Sequence, residues 1–194
     1  PCGCTIDLVL GGLDRITGTV QALTAKTGAA ATVLGGDFLF EHESLDPKSR
    51  DQEIRKTDVL VAAAKAMGVK ATVPGARDFA NGTEFYVQRM RDAGIAVLAS
   101  NVSLAGDVPL GPSHLTLDVG PQKVAFIGAS DPGVLSLVPG LTTRPALAAI
   151  SATQLAIAGE KPTVTVVLWQ GDIVSARQQL AGLMGGDFVI VGRD

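Results

Sequence analysis

Acidic, amide and guanidinium side chains follow the apolar runs of this 194-residue sequence at several points. Asp37 lies in "GGDFLF" directly after one apolar run, and Arg77 and Asp78 lie in "GARDFANG" after another. Polar residues also follow the later runs: Asn101, Ser130, Asp131, Gln170, Arg193 and Asp194. Because the carboxyl ends of strands aim side chains into one crevice, these groups are candidates for a shared site. Carboxylate and amide oxygens at such an edge suit a hard divalent cation.

The same residue types have a simpler use at these points. Asp and Asn commonly cap helices and turns, and for each residue taken singly this interpretation is favoured. For Asp37 the two interpretations are closer, because Gly35 and Gly36 leave room for a ligand to approach.

The elements that must position these residues alternate between helical and extended patterns. Helical spacing of apolar residues predicts helices over 11–27, 52–67, 82–93, 145–158 and 172–184. Apolar runs predict strands over 29–34, 69–73, 95–100, 163–169 and 188–191, with a β-hairpin over 114–119 and 123–128. Residues 41–50 and 131–143 are predicted to be loops. This order predicts an α/β fold with a mixed sheet, or with two sheets packed face to face between helices.

The composition excludes several classes of protein. With 46% apolar and 18% charged residues, the chain is not expected to be disordered. The net charge of −3 and the absence of a basic run argue against binding to nucleic acid. No run of 18 uncharged apolar residues occurs, so no membrane span is predicted.

The only two cysteines, Cys2 and Cys4, form a CxC motif. Two thiols alone cannot complete a tetrahedral zinc site, which needs four ligands. The favoured interpretation is a surface loop with two thiols, followed by a strained disulfide in an oxidising compartment. A redox or metal role for the pair is the least favoured.

Residues 11–102 carry a family resemblance. The stretches "GGLDRITGTVQAL", "ATVLGGDFLF" and the segment from "EIRKTDVLVAAAKAMG" through "VPGARDFANG" to "AVLASNV" resemble the calcineurin-like metallophosphoesterases of the 5′-nucleotidase type. A weaker likeness continues through "VTVVLWQGD" to "DFVIVGRD". The resemblance implies a single domain over 1–194 with mixed β-sheets sandwiched between helices, in an α/β/β/α order. It also implies that a first strand belongs before Pro1 and a further segment after Asp194.

The sequence departs from the family where the family binds metal. The Gly-Asp motif, whose carboxylate bridges two metals in the family, is kept as Asp37. In the family's Gly-Asn-His motif the Asn binds metal and the His helps to stabilise the phosphate. This motif reads Gly-Ala-Arg here, with Ala76 and Arg77 at the Asn and His positions. A later metal-binding His is replaced by Gln170, and the final Gly-His-x-His begins as Gly-Arg-Asp with Arg193. The resemblance therefore implies a degenerate metal site in which Asp37 is the one clear ligand.

Arginine at two of these positions opposes cation binding. A guanidinium cannot lose its proton to become a ligand, and it places positive charge where a cation would sit. Arg77 or Arg193 could instead pair with Asp37 or Asp78, or hold a small anion through a bidentate contact. No cofactor is expected, and the degenerate site is assigned to Asp37, Arg77, Asp78, Asn101, Gln170 and Arg193.

The favoured function is a non-catalytic binding or scaffold module in an exported, periplasmic or extracellular protein. Its partners would be other domains or chains of an exported complex, or a small anion or nucleotide. The alternative is an active phosphoesterase with nucleotide substrates that binds Mn, Zn or Fe with ligands from segments or chains not present here. As it stands, the chain is predicted to be inactive.

Three other residues are expected to be structural. His42 lies in the acidic loop "EHE" and is predicted to be solvated, and His114 opens the hairpin. Trp169, the only tryptophan, is assigned to the core in preference to a plug in the cavity that lost metals would leave.

Overall fold

The computed structural model describes residues 12–193 and the backbone of two short segments, 3–5 and 8–10. Its helices are α1 Leu13–Thr27, α2 Arg50–Ala66, α3 Thr83–Ala93, α4 Pro132–Leu135, α5 Ala146–Ala156 and α6 Ile173–Gln179. Its strands are β1 Gly3–Thr5, β2 Leu8–Leu10, β3 Thr32–Leu34, β4 Val69–Thr72, β5 Ala96–Val97, β6 Val102–Leu104, β7 Val108–Pro109, β8 His114–Val119, β9 Gln122–Ser130, β10 Leu141–Thr143, β11 Val164–Gln170 and β12 Phe188–Val191. Short 3₁₀ helices span Ala76–Phe79 and Ala158–Glu160. Within the residues described, no helix combines the length and the apolar character that crossing a membrane requires.

The first sheet is formed by the amino-terminal half of the chain. β3, β4 and β5 pair in parallel in that spatial order. α2 and α3 are the crossover helices between them, and α3 ends at Gly94, whose φ of 70° is left-handed. Met67, Tyr86 and Met90 pack with Val69 and Val97 of the sheet in one apolar cluster. The predicted βαβαβ order of this half is confirmed.

The second sheet comes from the carboxyl-terminal half and is mixed. Its spatial order is β12-β11-β9-β8. β12, β11 and β9 run parallel, and β8 joins antiparallel to β9 through the predicted hairpin. Ala125, Ile127 and Ala129 of β9 pack with Ala146 and Ile150 of α5. One face of this sheet is thus covered by helix.

The two sheets pack against each other through their remaining faces. Successive residues of a strand point to opposite faces, so Phe126 of β9 and Leu168 of β11 lie in a cluster with Ala71, Val73 and Leu98 of the first half. At Gly128 a Cβ atom would lie 2.3 Å from the Cβ of Leu98, so only glycine fits the closest approach. The predicted arrangement of two face-to-face sheets between helices is therefore confirmed.

A small third sheet was not predicted. β10, β6 and β7 form an antiparallel sheet in that order, and α4 precedes β10. The predicted loop over 131–143 is therefore wrong in part. The error arises because β10 is three residues long and is stabilised by pairing with β6, about 40 positions earlier, which leaves no local periodicity.

Candidate functional site

Four predicted site residues meet where strands of both sheets end. Asp37 follows β3, Arg77 and Asp78 lie in the 3₁₀ helix after β4, and Gln170 is the last residue of β11. Nε2 of Gln170 donates a hydrogen bond of 2.8 Å to Oδ2 of Asp37. This contact links the two sheets across the crevice between their strand ends.

The backbone around Asp37 is shaped to hold its carboxylate in place. Asp37 has φ of 51°, a left-handed value that non-glycine residues seldom adopt. A Cβ atom at Gly36 would lie 2.5 Å from Cγ of Gln170, and one at Gly75 would lie 2.2 Å from Oδ1 of Asp37. Both glycines are therefore required by the close packing around this carboxylate.

Both oxygens of Asp37 already accept hydrogen bonds. The backbone N–H of Arg77 donates to Oδ1 over 3.0 Å, and Nε2 of Gln170 donates to Oδ2. Nε of the Arg77 guanidinium lies 4.0 Å from the same Oδ2, with the Arg77 side chain 38% exposed and that of Asp37 9% exposed. A neutral amide and a guanidinium thus surround the carboxylate that the resemblance assigns to metal bridging.

Asp78 binds the backbone on both sides of the site, at the Asp37 loop and at the turn before the 3₁₀ helix. It is fully buried, and its carboxylate accepts hydrogen bonds from the N–H groups of Asp37, Phe38, Leu39 and Gly75, at 2.7–3.0 Å. Burial raises the pKa of Asp78 from 3.8 to about 6, and the nearby Asp37 charge adds to this rise although the N–H donors oppose it. The structure thus gives Asp78 a positioning role, with its acceptor positions taken by backbone.

Asn101 is also buried, and it clamps the ends of two strands. Its Nδ2 donates to the carbonyl oxygens of Ser130 and Arg144 at 2.7 and 3.3 Å, and its Oδ1 accepts from the Ser130 N–H at 2.9 Å. Ser130 Oγ in turn donates to the carbonyl of Pro74 over 2.7 Å. Asn101 therefore fixes the strand ends beside the site and contacts neither Asp37 nor Arg77 through a hydrogen bond in the part of the chain described.

The side-chain oxygen of Gln170 is an orphan acceptor, a buried atom that no described residue satisfies with a hydrogen bond. The Gln170 side chain is fully buried, and Oε1 has no hydrogen-bond partner among the described residues. An unsatisfied buried polar atom costs roughly 1–3 kcal/mol, so such atoms concentrate at functional or formerly functional positions.

Arg193 does not join the cavity at Asp37. The residue before it, Gly192, packs so tightly on Gly35 that a Cβ atom there would lie 1.9 Å from the Gly35 carbonyl oxygen. The backbone of Arg193 is therefore at the same edge of the sheets as Asp37. Its side chain makes no hydrogen bond or ion pair with the residues described, and it does not line the cavity beside Asp37. The assignment of Arg193 to the site at Asp37 stays a prediction, and Asp194 lies outside the described residues.

A cavity of about 460 Å³ opens beside Asp37 and Arg77. Its walls are Leu13 of α1, the loop with Phe38 and Phe40, and α2 residues that include Lys56 and Val59. The cavity is mostly apolar, with the Asp37–Arg77 pair at its edge.

The remaining candidates are away from this site. His42 is exposed in its loop, and Nε2 of His114 lies 3.0 Å from Oε1 of Glu160 at the hairpin. Trp169 is fully buried in the core on the helix-covered face of the second sheet, which confirms its structural assignment. Cys2 lies outside the described residues, and of Cys4 only the backbone, in β1, is described.

The described residues do not fit the dinuclear metal centre that the resemblance implies. No group of three or more His, Cys, Asp or Glu side chains in the described ranges is placed to hold a metal ion. Near Asp37, Asp78 is fully occupied by backbone N–H donors, and position 76 is alanine. Two cations about 4 Å apart need far more ligand atoms than Asp37 and the orphan oxygen of Gln170 supply.

Comparison with solved structures identifies the fold. The chain superposes on the sulfate thiohydrolase SoxB of Thermus thermophilus with a TM-score of 0.73 at 19% identity, covering 94% of this chain and 38% of that one. It matches a 5′-nucleotidase precursor, also of Thermus thermophilus, with a TM-score of 0.74 at 15% identity, covering 94% and 36%. It matches the calcineurin-like phosphoesterase YfkN of Bacillus subtilis with a TM-score of 0.74 at 17% identity, covering 93% and 63%.

These likenesses establish the metallophosphoesterase fold of the 5′-nucleotidase type. The chain spans little more than a third of the length of the first two structures. No protein-family model matches the sequence, and no curated protein matches it.

Proposed function

We propose that this chain is a catalytically silent module of metallophosphoesterase fold, which serves binding or scaffolding in an exported protein. One observation carries the proposal. The carboxylate that would bridge two metals instead accepts hydrogen bonds from the Arg77 backbone and the Gln170 amide, with the Arg77 guanidinium alongside. The backbone N–H of Arg77 and the side chain of Gln170 thus satisfy both oxygens of Asp37 without a cation.

Electrostatics supports this reading. The Arg77 guanidinium stands 4.0 Å from Asp37, within the space that a bridged cation would share. A cation about 4 Å from the guanidinium would be repelled by at most about 4 kcal/mol per unit charge at an effective dielectric of about 20, and solvent screening lowers this figure because the Arg77 side chain is 38% exposed. Because a guanidinium stays protonated, no pH in the physiological range removes this repulsion.

The site is also poorly supplied with groups that could activate water for hydrolysis without metal. Phosphoester cleavage needs a group that activates water and a group that stabilises charge on the phosphoryl oxygens. Arg77 could provide the second. For the first, the described lining holds no histidine, Asp37 is engaged by two donors and Glu53 pairs with Lys56, so the exposed Glu41 is the remaining carboxylate. The arrangement therefore suits the holding of a small anion or a partner better than turnover.

Hydrolysis of nitrophenyl phosphate tests the proposal. We expect no turnover above the buffer rate with the full chain, with or without added Mn²⁺, because the carboxylate is held by donors that exclude a cation. The assay is repeated with Asp37→Asn, which removes the one clear ligand, and both proteins should give the same background. Manganese-dependent turnover that Asp37→Asn abolishes would show instead a working phosphoesterase completed by groups outside the described residues.

A further inference from the structure

A second cavity, of about 710 Å³, lies away from Asp37 between the end of β5 and the small third sheet. We call it the hydroxyl pocket, because its wall is rich in hydroxyl side chains: Ser100, Ser103, Ser113, Thr142 and Thr143. Its charged residues are Arg144 and Asp107, and no aromatic ring is part of its described lining. It shares no lining residue with the cavity beside Asp37 and Arg77.

Arg144 is held in place at this pocket by both its backbone and its side chain. Its N–H donates to the Asn101 carbonyl over 3.0 Å, and its own carbonyl accepts from Asn101 Nδ2. In the side chain, Nε and Nη2 donate to the Ser100 carbonyl at 3.2 and 2.6 Å. Loss of rotamer entropy on binding a ligand is therefore reduced for this residue.

The charge of Arg144 is not neutralised by an acid within the described residues. No carboxylate there lies within ion-pair distance of its guanidinium, although Asp107 lines the same cavity. Nη1 and the second hydrogen of Nη2 remain as donors after the two bonds to Ser100. A fixed guanidinium with unused donors is the group that proteins use to bind carboxylates and phosphates in a bidentate manner.

An orphan hydroxyl is the second observation. Ser100 is 2% exposed, lines the pocket, and its Oγ has no hydrogen-bond partner among the described residues. A buried hydroxyl without a partner is costly, and such atoms call for an explanation. A rotation of the Ser100 side chain towards an acceptor bound beside Arg144 would satisfy it, because Oγ is closed off from solvent in its present position.

From these observations we propose that the hydroxyl pocket binds a small ligand that bears an oxyanion, either a phosphoryl group or a carboxylate. Arg144 supplies the charge and the fork of donors, and Ser100 and the other hydroxyls supply single donors around it. An apolar ligand is disfavoured because no aromatic ring lines the pocket as described, and a cation is disfavoured by the fixed guanidinium. The inference does not depend on the state of the Asp37 site.

Isothermal titration of the full chain with inorganic phosphate, and separately with succinate, tests the proposal. Heat of binding with one of them identifies the phosphoryl or the carboxylate class.

Arg144→Lys keeps the charge and one bond to Ser100 but loses the fork of guanidinium donors, and we expect it to weaken binding at least about 10-fold. Asp107→Asn removes the negative charge from the same cavity, and we expect it to strengthen binding about 2- to 3-fold.

Arg91→Lys is the matched control, because it makes the same change at an exposed arginine that lines neither cavity and should leave the affinity unaltered. Arg77→Lys is measured as well, to detect an anion that binds at the other cavity instead. The opposite signs expected for Arg144→Lys and Asp107→Asn keep the test valid even where one variant folds poorly. Absence of binding by both anions at about 10 mM overturns the proposal. So does binding that Arg77→Lys abolishes, or binding that neither pocket variant changes.

Discussion

Asp78→Asn lowers the free energy of unfolding by about 3 kcal/mol at pH 7, as measured by urea denaturation. The wild-type carboxylate accepts four backbone N–H bonds, from Asp37, Phe38, Leu39 and Gly75. An amide offers one oxygen, so its NH₂ group must face two of these donors. Each buried N–H left unpaired costs roughly 1–3 kcal/mol. The Asp37 loop and the turn at Gly75 would lose their common anchor.

Asp131→Asn is the matched control for that substitution. Asp131 also follows a strand, but its carboxylate accepts one backbone N–H, from Gly133 over 2.8 Å. Asn caps nearly as well as Asp, so we expect a change below about 0.5 kcal/mol. Equal small losses for both variants would show that the four bonds to Asp78 contribute little.

Lowering the pH distinguishes the wild-type Asp78 carboxyl group, which can take up a proton, from the amide of Asp78→Asn, which cannot. The folded pKa of Asp78, about 6, lies above its ordinary value of 3.8. The folded state therefore binds this proton more tightly, so the contribution of Asp78 to stability grows as the pH falls from about 6 to about 4. At about 1.4 kcal/mol per pKa unit the gain is up to about 3 kcal/mol. The difference in unfolding free energy between wild type and Asp78→Asn should widen over this range, and a narrowing would contradict the assigned shift.

Giving the site the family's residue types at three positions is expected to confer metal affinity, because two of the changes add ligands and the third removes the Arg77 guanidinium. The triple variant Ala76→Asn, Arg77→His and Gln170→His should bind Zn²⁺ or Mn²⁺ at least about 100-fold more tightly than the wild type. Removal of the partly exposed guanidinium relieves at most about 4 kcal/mol of repulsion per unit charge, the two new ligands add to this gain, and each 1.4 kcal/mol is tenfold in affinity. The backbone N–H of residue 77 still orients Oδ1 of Asp37 in the variant. Titration with a competing chelator gives the affinity.

Arg77→Gln alone is the control for charge. It removes the guanidinium without adding a ligand, so its metal affinity should lie between those of the wild type and the triple variant. A folded triple variant that binds metal no better than wild type would show that these three positions are not what excludes the cations.

Much of the fold could be predicted from the sequence because its signals are local. Glycines end α1 and α3 at the predicted places, and the predicted strand over 163–169 is found as β11, a mostly apolar run whose residues pack in clusters on both faces of the sheet. The third sheet could not be predicted, since β6, β7 and β10 are two or three residues long and depend on pairing between distant segments.

The residues of the site could be predicted only in part, because some of their contacts also depend on packing between distant segments. Strand ends indicated that Asp37, Arg77 and Gln170 share an edge of the sheets, and the three residues are in contact there. Their role in binding stays a prediction. The spacing could not show that Asp78 and Asn101 face inward to hold backbone, because their orientation depends on how the two sheets pack. Arg144 was not singled out, since an arginine before a proline carries no distinctive pattern, and only the structure shows that Ser100 fixes it.

The metal content of the purified chain tests the central claim most directly. The protein is expressed with Mn, Zn and Fe in the medium, desalted, and measured by elemental mass spectrometry next to Asp37→Asn. We predict well under one equivalent of metal at this site, and therefore the same content for both proteins. One or two tightly bound ions per chain that disappear in Asp37→Asn would contradict the claim that Arg77 and Gln170 have replaced the cations.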